Sequence, residues 1–144
     1  MKSRKAILWP SFGAYTLIML RLLIFRGGPH GRSLNLIPFR TIAEYFVYLS
    51  DSSEYLSGMR RYALVNLVGN LALFVPLGVL LPALFPRLRK AVPFLLTVLA
   101  ALLCVETIQY LLGVGAADVD DLLLNTLGAL AGFAAAGRIR KPMV

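Results

Sequence analysis

Four stretches of the chain are almost free of charge: about Ala6 to Phe25, Tyr62 to Leu81, Ala91 to Leu112 and Leu122 to Gly137. Apolar runs of about twenty residues match the hydrocarbon thickness of a bilayer when helical. Only a helix lets such a segment satisfy its backbone hydrogen bonds inside lipid. The fourth run is the shortest and is rich in Gly and Ala, which predicts that the other helices surround it more than lipid does. Between the first two runs, Phe39, Ile42, Ala43, Phe46 and Leu49 recur at helical spacing. They predict a helix over Phe39 to Leu49 that lies on the membrane surface or dips into it. Tyr45, Tyr48, Tyr55 and Tyr62 suit a membrane–water boundary. Gly27-Gly28-Pro29-His30-Gly31 reads as a turn. The pattern predicts an all-α integral membrane protein, a single domain over residues 1–144 with four transmembrane helices.

Composition agrees. Of 144 residues, 58% are hydrophobic and 15% charged, and the mean hydropathy is +0.75. A soluble domain of this size does not carry so much apolar sequence in unbroken runs. No A-x-A-like site follows the first run, so it reads as a retained anchor and not a cleaved signal. The lone Cys104 lies inside an apolar run and cannot form a disulfide within the chain.

A net charge of +8 would suggest nucleic acid in a soluble protein. Here it does not, because the basic residues flank the apolar runs and act as topology signals. Lys2, Arg4 and Lys5 precede the first run. Arg87, Arg89 and Lys90 separate the second and third. Arg138, Arg140 and Lys141 follow the fourth. The positive-inside rule places these groups, and both termini, in the cytoplasm. Arg26, Arg32, Arg40, Arg60 and Arg61 are spread over the long segment on the other side. Glu44, Asp51, Glu54, Asp118, Asp120 and Asp121 fall on that outer side too, and Glu106 lies inside the third run.

The polar residues share a depth. With a rise of about 1.5 Å per residue, Asn66 and Asn70 lie roughly 6 to 12 Å below the outer end of the second run, and Glu106 and Gln109 about 5 to 10 Å below that of the third. Arg21 and Asn125 are each about one turn inside the first and fourth. Asn66 and Asn70 share a helix face, as do Glu106 and Gln109. Asp118, Asp121 and Asn125 line a stripe that continues through Gly128 and Gly132. Charged and amide groups facing lipid are costly, so these faces are expected to turn inward, around a polar cleft opening outward. Structural roles stand beside that one. The amides could staple helices, and Gly128-x-x-x-Gly132 could allow close helix approach. Arg21 and Glu106 could form an ion pair or be two parts of a site.

Asp118, Asp120 and Asp121 form the densest group. One or two acids suit a helix start. The third suggests a basic partner such as Arg60 or Arg61, a cationic ligand, or a cation. Oxygen ligands would favour Mg²⁺ or Ca²⁺ over zinc. The spacing is not that of an EF-hand. No metal site is assigned and no cofactor is expected, and these three acids are the residues that would hold a cation. His30 stands alone and Cys104 is deep, which argues against a nucleophilic triad.

Asn35-Leu36-Ile37-Pro38-Phe39, then Asn66-Leu67-Val68-Gly69-Asn70-x-x-x-Phe74-x-Pro76-Leu77-Gly78, then Glu106-x-x-Gln109, then Asp118-Val119-Asp120-Asp121-x-x-x-Asn125-Thr126-x-Gly128-x-x-x-Gly132 resemble, in order and spacing, the VanZ-like family. Members often carry an Arg about where Gly115 stands here. The resemblance implies a multi-pass protein of the bacterial cytoplasmic membrane. It also implies a link to resistance against teicoplanin, with which the family's namesake is associated.

Three functions compete. The first is a non-enzymatic membrane factor that binds membrane lipid, a lipid-linked envelope precursor or a lipoglycopeptide in the outward cleft. Its ligand-binding candidates are Arg21, Arg60, Arg61, Asn66, Asn70, Glu106, Gln109, Asp118, Asp121 and Asn125. The second is an enzyme acting on an envelope lipid, with Glu106 as the catalytic acid or base. The third is a transporter or channel subunit. Four helices are few for that, and no inverted repeat is evident.

Overall fold

The computed structural model describes residues 2–25, 33–114 and 116–140. The turn expected at Gly27–Gly31 lies outside the described residues, as do Arg26, Arg32, Gly115 and Lys141. Helix α1 is Lys2–Phe25, α2 is Arg40–Ser50, α3 is Ser57–Leu84, α4 is Ala91–Leu112 and α5 is Val119–Arg140. Two short strands, β1 (Ser33–Asn35) and β2 (Ala116–Asp118), pair in parallel, with Asn35 opposite Asp118. One-turn 3₁₀ segments at Glu54–Leu56 and Pro86–Arg89 lead into α3 and α4.

Four helices are long and apolar enough to cross a membrane: α1, α3, α4 and α5. Three start earlier than the apolar pattern indicates, α1 among them at Lys2. Helix α3 begins at Ser57, because helical geometry continues through Arg60, Arg61 and other polar residues that do not add to an apolar run. Helix α5 begins at Val119, because Asp118 caps it. Pro76 and Pro82 sit inside α3 without ending it. Pro76 removes one N–H and frees the carbonyl of Ala72.

Lipid is as apolar as leucine, so the bundle is held by close packing and hydrogen bonds between helices more than by the hydrophobic effect. The closest packing joins α3 to α5, which run parallel. Residues Gly128 and Gly132 of α5 and Gly78 of α3 sit where the backbones touch. A Cβ at Gly128 would strike the carbonyl of Leu71, and one at Gly132 the carbonyl of Val75. The Phe133 ring stacks on Phe94 of α4 with centroids 4.5 Å apart. Helix α1 is fastened to α3 where the Tyr15 hydroxyl donates to the Leu73 carbonyl at 2.6 Å. The edges of Trp9 and Phe12 also meet the Phe85 ring. The buried core holds Met19, Leu23, Phe74, Leu77, Leu81, Phe94, Val98, Leu102 and Ala129. Outside it Leu17, Ile18, Leu96, Leu103 and Leu127 are exposed, as a lipid-facing perimeter requires.

The tight α3–α5 contact makes a prediction. Gly128→Ala should destabilise detergent-solubilised protein by about 1–3 kcal/mol, the usual cost of overpacking, read as denaturant unfolding by far-UV circular dichroism. Gly13→Ala, where a new Cβ meets nothing within 4 Å, should leave stability unchanged or raise it by up to about 1 kcal/mol.

Candidate functional site

The candidate polar residues are carried to one end of the bundle by different elements. The ribbon seats Asn35 against Asp118, and Asp118 is both the last residue of β2 and the cap of α5. Its Oδ1 accepts the Asp120 N–H at 2.8 Å, the geometry of a helix N-cap. The same oxygen accepts the Asn35 amide at 3.0 Å. Its Oδ2 accepts the Thr41 hydroxyl at 2.5 Å. Asn35 also donates to the Thr41 hydroxyl and accepts the Ile37 N–H. One carboxylate thus ties β1, the first turn of α2 and the first turn of α5.

Asp120 has no exposed surface at all. Its Oδ1 accepts the Phe39 N–H at 2.6 Å and its Oδ2 the Ile42 N–H at 3.1 Å. These donors open α2, whose own N-cap residue, Phe39, makes no side-chain cap bond. Asp120 therefore caps α2 from another helix, and its negative charge meets the positive end of the α2 dipole. Phe39 has φ +66°, a left-handed conformation costly for a residue with a Cβ. The short bond to Asp120 holds it there.

Asp121, the third acid, accepts a hydrogen bond from the buried Asn70 amide of α3. Half-buried Glu106 of α4 accepts the Asp118 N–H at 3.2 Å. Gln109, one turn on, donates to the Leu23 carbonyl at 2.8 Å and joins α4 to α1. Asn70, Glu106, Asp118, Asp120 and Asp121 thus meet, directly or through one another's backbone. Asn125 is buried next on the α5 stripe. Its Oδ1 and the Thr126 hydroxyl have no hydrogen-bond partner among the described residues. Asn66 donates to the Tyr62 carbonyl of its own helix.

The basic candidates stand apart from Asp118 and Asp120. Arg21 is exposed and makes no hydrogen bond or ion pair with another described residue, so it does not pair with Glu106. Arg60 donates to the carbonyls of Asp51 and Ser53, at 2.5 and 3.0 Å, and fastens the turn between α2 and α3. Arg61 is exposed. Neutral donors hold Asp118 and Asp120: backbone N–H groups, an amide and a hydroxyl.

The Asn35 and Thr41 side chains and the α2 backbone belong to this cluster as partners of the acids, and Tyr45 lies beside it. The Tyr45 ring is buried edge-on against Tyr62 with centroids 6.0 Å apart. Burial, then Tyr62 and the nearby Asp121, push its hydroxyl well above the usual phenol range. At the far end of α2, the Ser53 hydroxyl and N–H hold the Asp51 carboxyl below its ordinary value.

The family model described as VanZ/LLP1 matches residues 12–140, a range that includes every residue of the cluster. Protein VanZ of Enterococcus faecium is 29% identical over 114 residues, which are 79% of this chain and 58% of that protein. The chain thus aligns with under two thirds of that relative's length. No solved structure matches it.

The cap from Asp120 can be tested by substitution. Asp120→Ala strands two N–H groups and should cost about 3 kcal/mol, given about 1.5–3 kcal/mol per hydrogen bond to a charged group. Asp120→Asn, which keeps an acceptor, should cost less. Both should speed proteolysis within residues 36–53. At Phe39 the usual order should invert: Phe39→Gly should be more stable than Phe39→Ala by about 1 kcal/mol in denaturant unfolding, because only glycine adopts positive φ without strain.

Proposed function

Because the chain belongs to the VanZ/LLP1 family, we propose that this multi-pass membrane protein is a non-enzymatic factor of the bacterial cytoplasmic membrane. It binds a lipid-like or cell-envelope ligand at the end that carries the acids. By the positive-inside rule that end faces outward, and α2 lies at the outer interface.

One observation carries this reading. The segment that Asp118 and Asp120 hold rigid turns a row of apolar side chains outward: Leu34, Leu36, Ile37, Phe39, Phe46 and Val47 are each more than half exposed. At the same end stands Glu106, whose half-buried carboxylate accepts the Asp118 N–H. Apolar side chains and a carboxylate at one end suit an amphipathic ligand, with its chains along the row and its head near Glu106. A lipid-linked envelope precursor and a lipoglycopeptide both have that form. Holding either would change how much teicoplanin-type glycopeptide acts at the cell surface.

A second reading rests on Glu106 itself. Among the described residues its carboxylate takes one hydrogen bond, from the Asp118 N–H. That leaves capacity for acid–base work on an envelope lipid.

Binding of a lipid-linked precursor to protein in nanodiscs separates the two. Glu106→Ala and Phe46→Ser, in variants that unfold like the wild type, should each weaken binding about tenfold or more, the equivalent of about 1.4 kcal/mol. Unchanged binding in both refutes the binding reading. Turnover of the lipid that is abolished by Glu106→Gln, with binding retained, would establish the enzymatic one.

A further inference from the structure

The opposite end of the bundle carries a second feature, independent of the acidic cluster. Helix α1 leans on α3 and leaves a groove beside α4. At the basic end the groove is about 660 Å³, lined by Phe12, Leu81, Phe85, Pro86, Leu88 and Thr97, with Arg87 at its mouth. It continues inward as a narrower space of about 240 Å³ that shares Phe12, Leu81 and Thr97 and runs past Met19, Leu77 and Val98 toward mid-bundle. Apart from the Thr16 and Thr97 hydroxyls and the Arg87 head, the side chains lining both parts are apolar. Thr97 donates its hydroxyl to the Pro93 carbonyl of its own helix, so it asks for no polar ligand.

The mouth is strongly positive. Arg87, Arg89 and Lys90 are all exposed in one turn. The α4 N-terminus that follows has no side-chain cap and no acid in its first turn, so its dipole adds to the same field. None of the seven acidic residues lies at this end. Trp9, half exposed and edge-on to Phe85, stands where an interfacial tryptophan marks headgroup level.

We propose that this groove is a binding site for one anionic phospholipid of the leaflet at the basic end. An acyl chain lies between α1 and α4, and the phosphate is held at Arg87 and Lys90. A long apolar slot alone would accept any chain. The cluster of cations at its mouth selects the charge, as basic pockets between membrane helices do. The lipid chain also fills the flank of α1 that faces α4 along the groove, where α1 is attached chiefly to α3 and meets α4 through the Gln109–Leu23 bond and the shared core.

The test uses the whole chain, delipidated in detergent and titrated with phosphatidylglycerol or phosphatidylcholine while bound lipid is counted by native mass spectrometry. Wild type should hold phosphatidylglycerol about tenfold more tightly. Arg87→Gln with Lys90→Gln should bring the two lipids level. Thr97→Trp, which fills the slot, should reduce retention of both. Arg138→Gln removes one positive charge at the same end but outside the groove, and should change nothing. Soluble glycerol phosphate should not compete. Equal retention of the two lipids by wild type overturns the proposal. So does an Arg138→Gln effect as large as that of the groove pair, or displacement by glycerol phosphate.

Discussion

A carboxylate with no exposed surface has no water to fall back on. Each carboxylate oxygen of Asp120 must find a donor in the chain, and each does: Oδ1 takes the N–H of Phe39 and Oδ2 that of Ile42. The organisation of the acidic end depends on this bond. The opening turn of α2 has donors that its own sequence does not cap, and α5 has an acid that its own helix does not need. Each resolves the other's deficit. Asp118 repeats the arrangement one step away, capping α5 while collecting Asn35 and Thr41. The three-residue ribbon is too short to be stable alone. It survives because its last pair, Asn35 and Asp118, is also a side-chain hydrogen bond.

The α3–α5 contact fixes where this end can form. Backbones that touch at Gly128 and Gly132 leave no freedom in how far α5 slides along α3. That register sets Asp121 against Asn70 and carries Asp118 and Asp120 to the level of β1 and α2. Small residues in the middle of the bundle therefore position charged ones at its end. The Asn125 oxygen, without a hydrogen-bond partner among the described residues, sits between the two regions.

The spans were legible because twenty apolar residues admit few other readings. Helical rise alone placed Asn70, Glu106 and Asn125 at a similar depth. It did not reveal which polar groups meet. Asn35 and Asp118 are 83 positions apart, and no periodicity links a loop to a distant helix start. The family motifs contain both residues but do not say that they touch. The acids seemed to need a cation because three carboxylates in four residues repel. Backbone N–H groups are donors that a sequence does not display, and they supplied most of what Asp120 and part of what Asp118 required. Arg60, a candidate partner of the acids in the sequence, donates to carbonyls of the α2–α3 turn, acceptors that a sequence does not display either.

The cap on α2 also sets an order of events during synthesis. Phe39 emerges from the ribosome 81 residues before Asp120. Until α5 is inserted and seated against α3, the α2 segment has no carboxylate at its first turn and no strand for β1 to pair with. Its leucines and phenylalanines are then an apolar stretch without the bonds that fix it in the finished bundle. Completion of the bundle converts that stretch into a defined platform, so order at the acidic end is itself the sign that the last helix has docked.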